Sequence, residues 1–214
     1  MRIDSVRFAC SVFRPEDAPE GSDRDVIFVG RSNVGKSSLI NRLVGKSGIA
    51  RVSSTPGRTQ SVNFVRVNEA FHLVDFPGYG YARVPEEIRR SWKHLVDGVL
   101  EARRRRIVLA VLVMDARHPP SDLDHAMRAW LVENGLPYVV VATKADKIGA
   151  GSRTRTAGSL ADELSDGGKG RGPVVLLASG KTGLGMREIW KHLERALERP
   201  KAAGRRGESW ISGS

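Results

Sequence analysis

The chain has 214 residues, a formal net charge of +11 at pH 7 and a single cysteine, Cys10. One cysteine excludes an intrachain disulfide, so a secreted fold held by disulfides is excluded and a reducing, cytoplasmic location is expected. No apolar run reaches the ~18–20 residues that a membrane helix needs, so we expect no stable membrane association. A domain this basic often binds a polyanion such as RNA, although a purely solubilising surface would carry the same charge.

Predicted strands and helices alternate along the chain after an N-terminal arm. Residues 1–24 carry mixed charge and two prolines, and we expect at most one short strand there. Apolar or alternating runs predict strands at residues 25–29, 61–67, 71–75, 107–114, 138–142 and 173–178. Apolar residues at helical spacing predict helices at residues 36–44, 85–105, 121–133 and 186–198. The Gly-, Ser- and Arg-rich stretch 149–172 is expected to hold one short helical patch near residues 160–164.

This alternation predicts an α/β fold in three layers, with a mostly parallel sheet of about six strands that includes one antiparallel hairpin strand. In such a sheet, ligands bind at the carboxyl ends of the strands. We expect three segments: the arm at residues 1–24, a nucleotide-binding domain at 25–199, and a basic tail at 200–214 that is expected to be disordered.

A phosphate-binding loop is predicted between the first strand and the first helix. Residues 30–37 read G-R-S-N-V-G-K-S and match the pattern G-x-x-x-x-G-K-[ST]. Backbone N–H groups of such a loop and the start of the following helix face phosphate oxygens. Lys36 is expected to contact the terminal phosphates and Ser37 to bind Mg²⁺, although the motif does not distinguish ATP from GTP. The predicted contacts from this loop are Gly30, Arg31, Ser32, Asn33, Val34, Gly35, Lys36, Ser37 and Ser38.

Two further segments have the pattern of loops that respond to a γ-phosphate. The Asp75 carboxylate, at the end of a predicted strand, is expected to bind Mg²⁺, and the Gly78 N–H to contact the γ-phosphate. In the long loop before that hairpin, Thr59 is the first candidate for a threonine that senses γ-phosphate through Mg²⁺, with Thr55 as the alternative. The predicted contacts are Thr55, Pro56, Gly57, Arg58, Thr59, Asp75, Phe76, Pro77 and Gly78, and the predicted catalytic residues are Lys36, Thr59 and Gly78.

A base-reading motif, T-K-A-D, follows the predicted strand 138–142. The Asp146 carboxylate can accept hydrogen bonds from guanine N1–H and its 2-amino group, a pair of donors that adenine lacks. The Lys144 stem can lie along the base, and backbone N–H groups after the last strand can reach guanine O6. The predicted contacts are Thr143, Lys144, Ala145, Asp146, Ala178, Ser179 and Gly180. The ligand is therefore predicted to be GTP or GDP with Mg²⁺, bound by a P-loop NTPase of the Ras-like G-domain type.

These motifs together resemble the signatures of the EngB-type branch of the translation-factor-related GTPases, over roughly residues 6–198. The segments that carry the resemblance are V-G-R-S-N-V-G-K-S-S-L-I-N at 29–41, T-P-G-R-T-Q at 55–60, D-F-P-G-Y-G-Y-A at 75–82 and T-K-A-D-K at 143–147. The resemblance implies a GTPase that is needed for assembly of the bacterial large ribosomal subunit and for normal cell division. We expect a monomer that contacts ribosomal RNA.

The position after D-x-x-G, where many GTPases have a glutamine that orients water, is Tyr79, so we expect slow intrinsic hydrolysis. Asn33 resembles the asparagine of GTPases that bind K⁺ beside the phosphates, but it could equally only brace the loop. The basic run 103–106, with residues 89, 90 and 93 and the tail, is a candidate contact for RNA phosphates, although some of these side chains are expected to be merely solvated. The alternative is a GTPase that regulates cell division through protein partners without binding RNA.

Overall fold

The computed structural model describes residues 1–20, 24–50, 61–80, 86–165 and 172–198, without the side chains of residues 86–92. The predicted contacts at residues 55–59 and the tail 200–214 lie outside the described residues. The strands are β1 Val6–Val12, β2 Arg24–Gly30, β3 Val62–Val67, β4 Phe71–Asp75, β5 Ile107–Asp115, β6 Tyr138–Thr143 and β7 Val175–Leu177. The α-helices are α1 Lys36–Leu43, α2 Glu86–Arg103, α3 Asp122–Glu133, α4 Arg153–Glu163 and α5 Met186–Glu198.

The seven strands form one sheet in the order β1-β3-β4-β2-β5-β6-β7. Strand β3 pairs antiparallel with both β1 and β4, whereas the remaining pairs are parallel. Six of the seven described strands therefore run in one direction, and β3 is the reversed strand of the predicted hairpin. This arrangement confirms the predicted α/β fold with a mostly parallel sheet.

Strand β1 is longer than the sequence suggests. It has seven residues and pairs with β3 from Val6 to Val12, so much of the predicted arm belongs to the sheet. Its register shifts between Phe8 and Cys10, and this bulge breaks the alternation of inward and outward side chains that would have marked a strand. The preceding residues are also attached, because the backbone N–H groups of Asp4 and Ser5 donate to the Asn68 side chain.

Helix α4 corrects the prediction for residues 149–172. The structure has a 3₁₀ turn at Ala150–Ser152 and then eleven residues of α-helix, where only a short patch near residues 160–164 was expected. Within α4 only Leu160 is buried, packing beside Ala116 and Ala142. A helix with one buried residue has no apolar stripe, so its helical period is not visible in the sequence.

The sheet is covered on both faces, as the continuous apolar run of β5 predicts. Alternate residues of β5 enter two separate cores: Val111 packs on the side of α1 and α5, and Leu112 on the side of α2 and α3. Trp190 and Trp130 pack against these two cores, and the Trp190 indole N–H also donates to the Leu43 carbonyl at 3.0 Å. The predicted loops follow the carboxyl ends of the parallel strands β2, β4, β6 and β7, which lie at the same end of the sheet.

Candidate functional site

The phosphate loop joins β2 to α1 through two residues with positive φ. Asn33 has φ 63° and Gly35 has φ 101°, which turns the backbone so that α1 begins at Lys36. The loop also approaches β5 closely, because a Cβ at Gly30 would collide with the Val113 carbonyl. Glycine is needed at both Gly30 and Gly35, for space at the first and for conformation at the second.

The phosphate loop and the D-x-x-G loop meet at Asp75. The Lys36 ammonium contacts the Asp75 carboxylate and donates to the Phe76 carbonyl at 2.7 Å. The Ser37 hydroxyl donates to the other Asp75 oxygen at 3.2 Å. The Asp75 side chain is only 4% exposed. The structure therefore brings together the three side chains that the sequence assigns to phosphate and Mg²⁺.

Gly78 packs directly on the phosphate loop. Its carbonyl accepts a hydrogen bond from the Ser32 hydroxyl at 3.2 Å, and the next carbonyl, that of Tyr79, accepts one from the Ser32 backbone N–H at 2.9 Å. A Cβ at Gly78 would lie 2.7 Å from the Ser32 Oγ and 3.0 Å from its backbone N. The D-x-x-G glycine is thus required by close contact, in addition to the role that the sequence predicts for its N–H.

The Tyr79 side chain is directed at α3. Its hydroxyl donates to Asp124 at 2.9 Å, and Asp124 also accepts hydrogen bonds from the backbone N–H and hydroxyl of Ser121, the N-cap residue of α3. Burial and the neighbouring Asp124 carboxylate raise the pKa of Tyr79 far above its usual range. Asp124 is not identified from the sequence, because no local pattern links it to a tyrosine 45 residues away.

The base-reading loop is tied to the phosphate loop. The Thr143 hydroxyl contacts the Val34 carbonyl and also donates to the Met114 carbonyl at 2.9 Å. The Lys144 ammonium donates to the Asn33 carbonyl at 2.9 Å. These contacts fix the distance between the loops expected to bind the phosphates and the base.

Asp146 lies beside the loop that follows β7. The Ser179 hydroxyl donates to its carboxylate at 2.7 Å, and this hydrogen bond is the main cause of a lowered pKa for Asp146. The Ala145 N–H donates to the Ala178 carbonyl at 3.0 Å, which joins the two loops through the backbone. A Cβ at Gly180 would lie about 3.1 Å from the Ser38 backbone, so this loop also packs on the start of α1.

The arginine run 103–106 is largely occupied within the fold. Arg103 is buried and donates two 2.7 Å hydrogen bonds to Asp25 at the start of β2. Arg104 donates to the Asn134 carbonyl at 3.2 Å, and Arg106 to the Pro19 carbonyl at 3.4 Å. The predicted basic contact surface therefore loses Arg103, and two of its neighbours also hold backbone carbonyls.

The fold and the four connected loops define a P-loop GTPase. A family model described as 50S ribosome-binding GTPase matches residues 25–144. The chain is 49% identical over 160 residues to the probable GTP-binding protein EngB of Pelotomaculum thermopropionicum, covering 75% of this chain and 79% of that protein. It is 41% identical over 196 residues to the EngB of Syntrophus aciditrophicus, covering 92% and 97%. The chain therefore belongs to the EngB family of GTP-binding proteins.

Solved structures agree with this assignment. A crystal structure of a probable GTP-binding protein EngB superposes with a TM-score of 0.65 at 26% identity, covering 81% of this chain and 98% of that one. Era in complex with MgGDPNP and a segment of 16S ribosomal RNA superposes with a TM-score of 0.61 at 19% identity, covering 87% and 60%, which shows a shared fold alone. Among the described helices, none is long and apolar enough to cross a bilayer.

Proposed function

We propose that this GTPase is a nucleotide-controlled switch in assembly of the bacterial large ribosomal subunit, acting in the cytoplasm as a monomer and needed for normal cell division. The contact of Lys36 and Ser37 with Asp75 carries the proposal of a switch. A γ-phosphate would attract the Lys36 ammonium away from the carboxylate that now holds it. GTP would therefore rearrange the D-x-x-G loop, whereas GDP, which lacks that phosphate, would have a weaker effect.

Ser37 and Asp75 are the side chains proposed to hold Mg²⁺. Their oxygens are 3.2 Å apart, and hard divalent cations prefer oxygen ligands of these two kinds. When bound, the ion supplies positive charge that neutralises phosphate oxygens. Thr59 is proposed as a further ligand in the GTP form, with Thr55 as its alternative. Lys36 and the Gly78 N–H are proposed to contact the γ-phosphate.

Guanine selection is proposed to rest on Asp146. Its carboxylate, like any ordinary aspartate, is ionised at neutral pH, and the hydrogen bond from the Ser179 hydroxyl lowers its pKa and so favours the charged form further. An ionised carboxylate accepts both guanine donors, and an adenine in its place would leave the carboxylate without them. The remaining contacts are proposed to come from the phosphate loop and from the backbone of residues 178–180.

Hydrolysis is proposed to be slow without a partner. Tyr79, which replaces the usual glutamine, donates its hydroxyl to Asp124 in α3. Asn33 is proposed to bind K⁺ beside the phosphates, with bracing of the loop as the equal alternative. A GTPase rate that is several-fold higher in K⁺ than in Na⁺ is expected if the ion binds there, and equal rates in both salts would exclude it.

A role at the large subunit is supported by family membership and by the formal net charge of +11, which suits a ribosomal RNA partner. The second candidate function is a switch in cell division that acts through proteins without binding RNA. The two differ in whether a purified ribosomal particle is sufficient as a partner.

Co-sedimentation with purified large and small subunits tests the proposal. The chain is incubated with GDP or a non-hydrolysable GTP analogue, at low and near-physiological salt. Large-subunit binding that requires the GTP analogue and persists at physiological salt is expected. Binding that ignores the nucleotide and disappears with salt would instead indicate only a basic surface on RNA, and would favour the second function.

A further inference from the structure

Asp115 occupies a position that the predicted motifs do not include. It is the last residue of β5 and lies in register with Thr143, the first residue of the base-reading motif. Its carboxylate accepts hydrogen bonds from the Lys144 ammonium at 2.8 Å, from Arg117 Nε at 2.9 Å, from Arg117 Nη2 at 2.7 Å and from the Arg117 backbone N–H at 3.1 Å. The side chain is 14% exposed, so these partners surround it.

Lys144 is held between two acceptors from different parts of the site. One is the Asp115 carboxylate at the end of the central strand, and the other is the Asn33 carbonyl in the phosphate loop. The Lys144 backbone has φ 60°, a conformation that costs energy for a residue with a side chain. Its ammonium contacts therefore keep both the side chain and a strained backbone in one arrangement.

We propose that Asp115 is a positioning residue for guanine nucleotide binding, which holds the Lys144 ammonium so that the lysine stem and the phosphate loop are already arranged for the nucleotide. This inference rests on the proposed nucleotide site. Asp115 itself contacts neither base nor phosphate; it acts through Lys144.

A long lysine side chain loses considerable rotamer freedom when it is fixed, and a site that fixes it in advance lowers that cost at binding. Without the carboxylate, Lys144 keeps the Asn33 carbonyl alone and samples more rotamers before the nucleotide arrives. We therefore expect Asp115→Asn to weaken GDP binding by about tenfold, the effect typical of losing one charge-assisted hydrogen bond in a preorganised site. The loss should appear mainly in the dissociation rate.

The charge state of Asp115 fits this role at every pH of interest. Burial of the carboxyl group opposes ionisation, but hydrogen bonds from Arg117 and Lys144 outweigh it and lower the pKa of Asp115 far below its usual range. The carboxylate is thus ionised throughout the neutral range, and Lys144 always faces a full negative charge.

Arg117 supplies a matched control because, among the described residues, its hydrogen bonds go to the Asp115 carboxylate and not to the base-reading loop. Arg117→Gln removes the two side-chain hydrogen bonds from Arg117 to Asp115, but it leaves the ion pair between Asp115 and Lys144. If Asp115 had only a general structural role, the Asp115/Lys144 and Arg117/Lys144 variant pairs would show the same coupling in nucleotide affinity.

Two double-mutant cycles on the full chain, one for Asp115 with Lys144 and one for Arg117 with Lys144, test the proposal. The dissociation constant of fluorescent mant-GDP is measured for the wild type, Asp115→Asn, Lys144→Met, Arg117→Gln and the doubles Asp115→Asn/Lys144→Met and Arg117→Gln/Lys144→Met. Melting temperatures without nucleotide are recorded in parallel. Asp115→Asn is expected to weaken binding about tenfold alone and less than twofold beside Lys144→Met, whereas Arg117→Gln and Lys144→Met are expected to be additive.

Additive effects of Asp115→Asn and Lys144→Met, or unchanged affinity in Asp115→Asn, would overturn the inference. If Asp115→Asn does not fold, Asp115→Glu replaces it, since one extra methylene moves the carboxylate and the same coupling to Lys144 is expected. A wild-type chain that binds no mant-GDP would refute the proposed nucleotide site itself, so the two failures are distinguishable.

Discussion

Replacing Arg103 with leucine should destabilise the fold strongly without touching the nucleotide loops. The Arg103 side chain is 3% exposed and makes two 2.7 Å hydrogen bonds to Asp25, which is itself buried. Without the guanidinium, the described contact that remains to the Asp25 carboxylate is with His72 Nδ1, at 3.2 Å. Removing one member of a buried ion pair costs about 3–5 kcal/mol, because the other charge stays buried.

That cost converts into a measurable shift of the melting temperature. In a chain of this size 1 kcal/mol corresponds to about 2–4 °C, so Arg103→Leu should melt roughly 6–20 °C below the wild type. The assay is thermal unfolding followed by circular dichroism. GDP affinity, measured well below the melting temperature, should stay within about twofold of the wild type, because Asp25 lies at the start of β2 and the phosphate loop follows its other end.

Arg105→Leu is the matched control, since Arg105 is exposed in the same run of four arginines and should change stability by less than ~0.5 kcal/mol. The double variant Asp25→Leu/Arg103→Leu should recover much of the lost stability, because it removes the orphaned charge. Equal melting temperatures for Arg103→Leu and Arg105→Leu would refute the reasoning, and so would a double variant less stable than Arg103→Leu alone.

Three further variants test the nucleotide loops. Gly78→Ala places a Cβ 2.7 Å from the Ser32 Oγ, so single-turnover GTP hydrolysis should fall at least about tenfold while GDP affinity changes little; unchanged hydrolysis would contradict the close contact. Ser179→Ala removes the main cause of the lowered Asp146 pKa, so GDP affinity, titrated from pH 7 downward, should begin to fall at a higher pH than in the wild type; superimposable pH profiles would exclude this cause. Tyr79→Phe deprives Asp124 of one donor and should cost about 1–2 kcal/mol in thermal unfolding, with no loss if the hydrogen bond is unimportant.

The nucleotide loops were predictable because each motif follows a strand that the sequence marks clearly. Strand β4 ends at Asp75 and helix α1 begins at Lys36, as predicted, and parallel strands bring such ends to the same edge of the sheet. The meeting of Lys36, Ser37 and Asp75 follows from that topology. The orientation of Tyr79 does not, since it depends on an acceptor in α3 that belongs to no nucleotide motif.

The features that the sequence did not predict are the length of β1, the length of α4 and the Arg103–Asp25 pair. Each depends on an irregular backbone, on few buried residues or on a contact between distant parts of the chain. The bulge in β1 removes its alternation, and α4 buries too few residues to show a helical period. Arg103 and Asp25 are 78 residues apart, so an arginine run that suggests a solvated or RNA-binding surface gives no sign of a buried pair. Local patterns report secondary structure and motifs well, but they do not report which charges pair across the fold.

The pairing of Arg103 also changes how the run of four arginines at 103–106 should be interpreted, although it leaves the net charge of +11 as it is, because Asp25 is already counted there. A polyanion attracts the cations that remain accessible, and each one that neutralises a phosphate adds to the salt dependence of binding. Arg103 cannot contribute, because its guanidinium is buried against Asp25, while Arg104 and Arg106 already donate to backbone carbonyls. Arg104 and Arg106 each keep further guanidinium N–H groups, whereas Arg105 is the exposed member of the run. The number of arginines therefore overstates what this end of α2 can offer to RNA, and the proposed ribosomal contact would draw on exposed cations such as Arg105 rather than on Arg103.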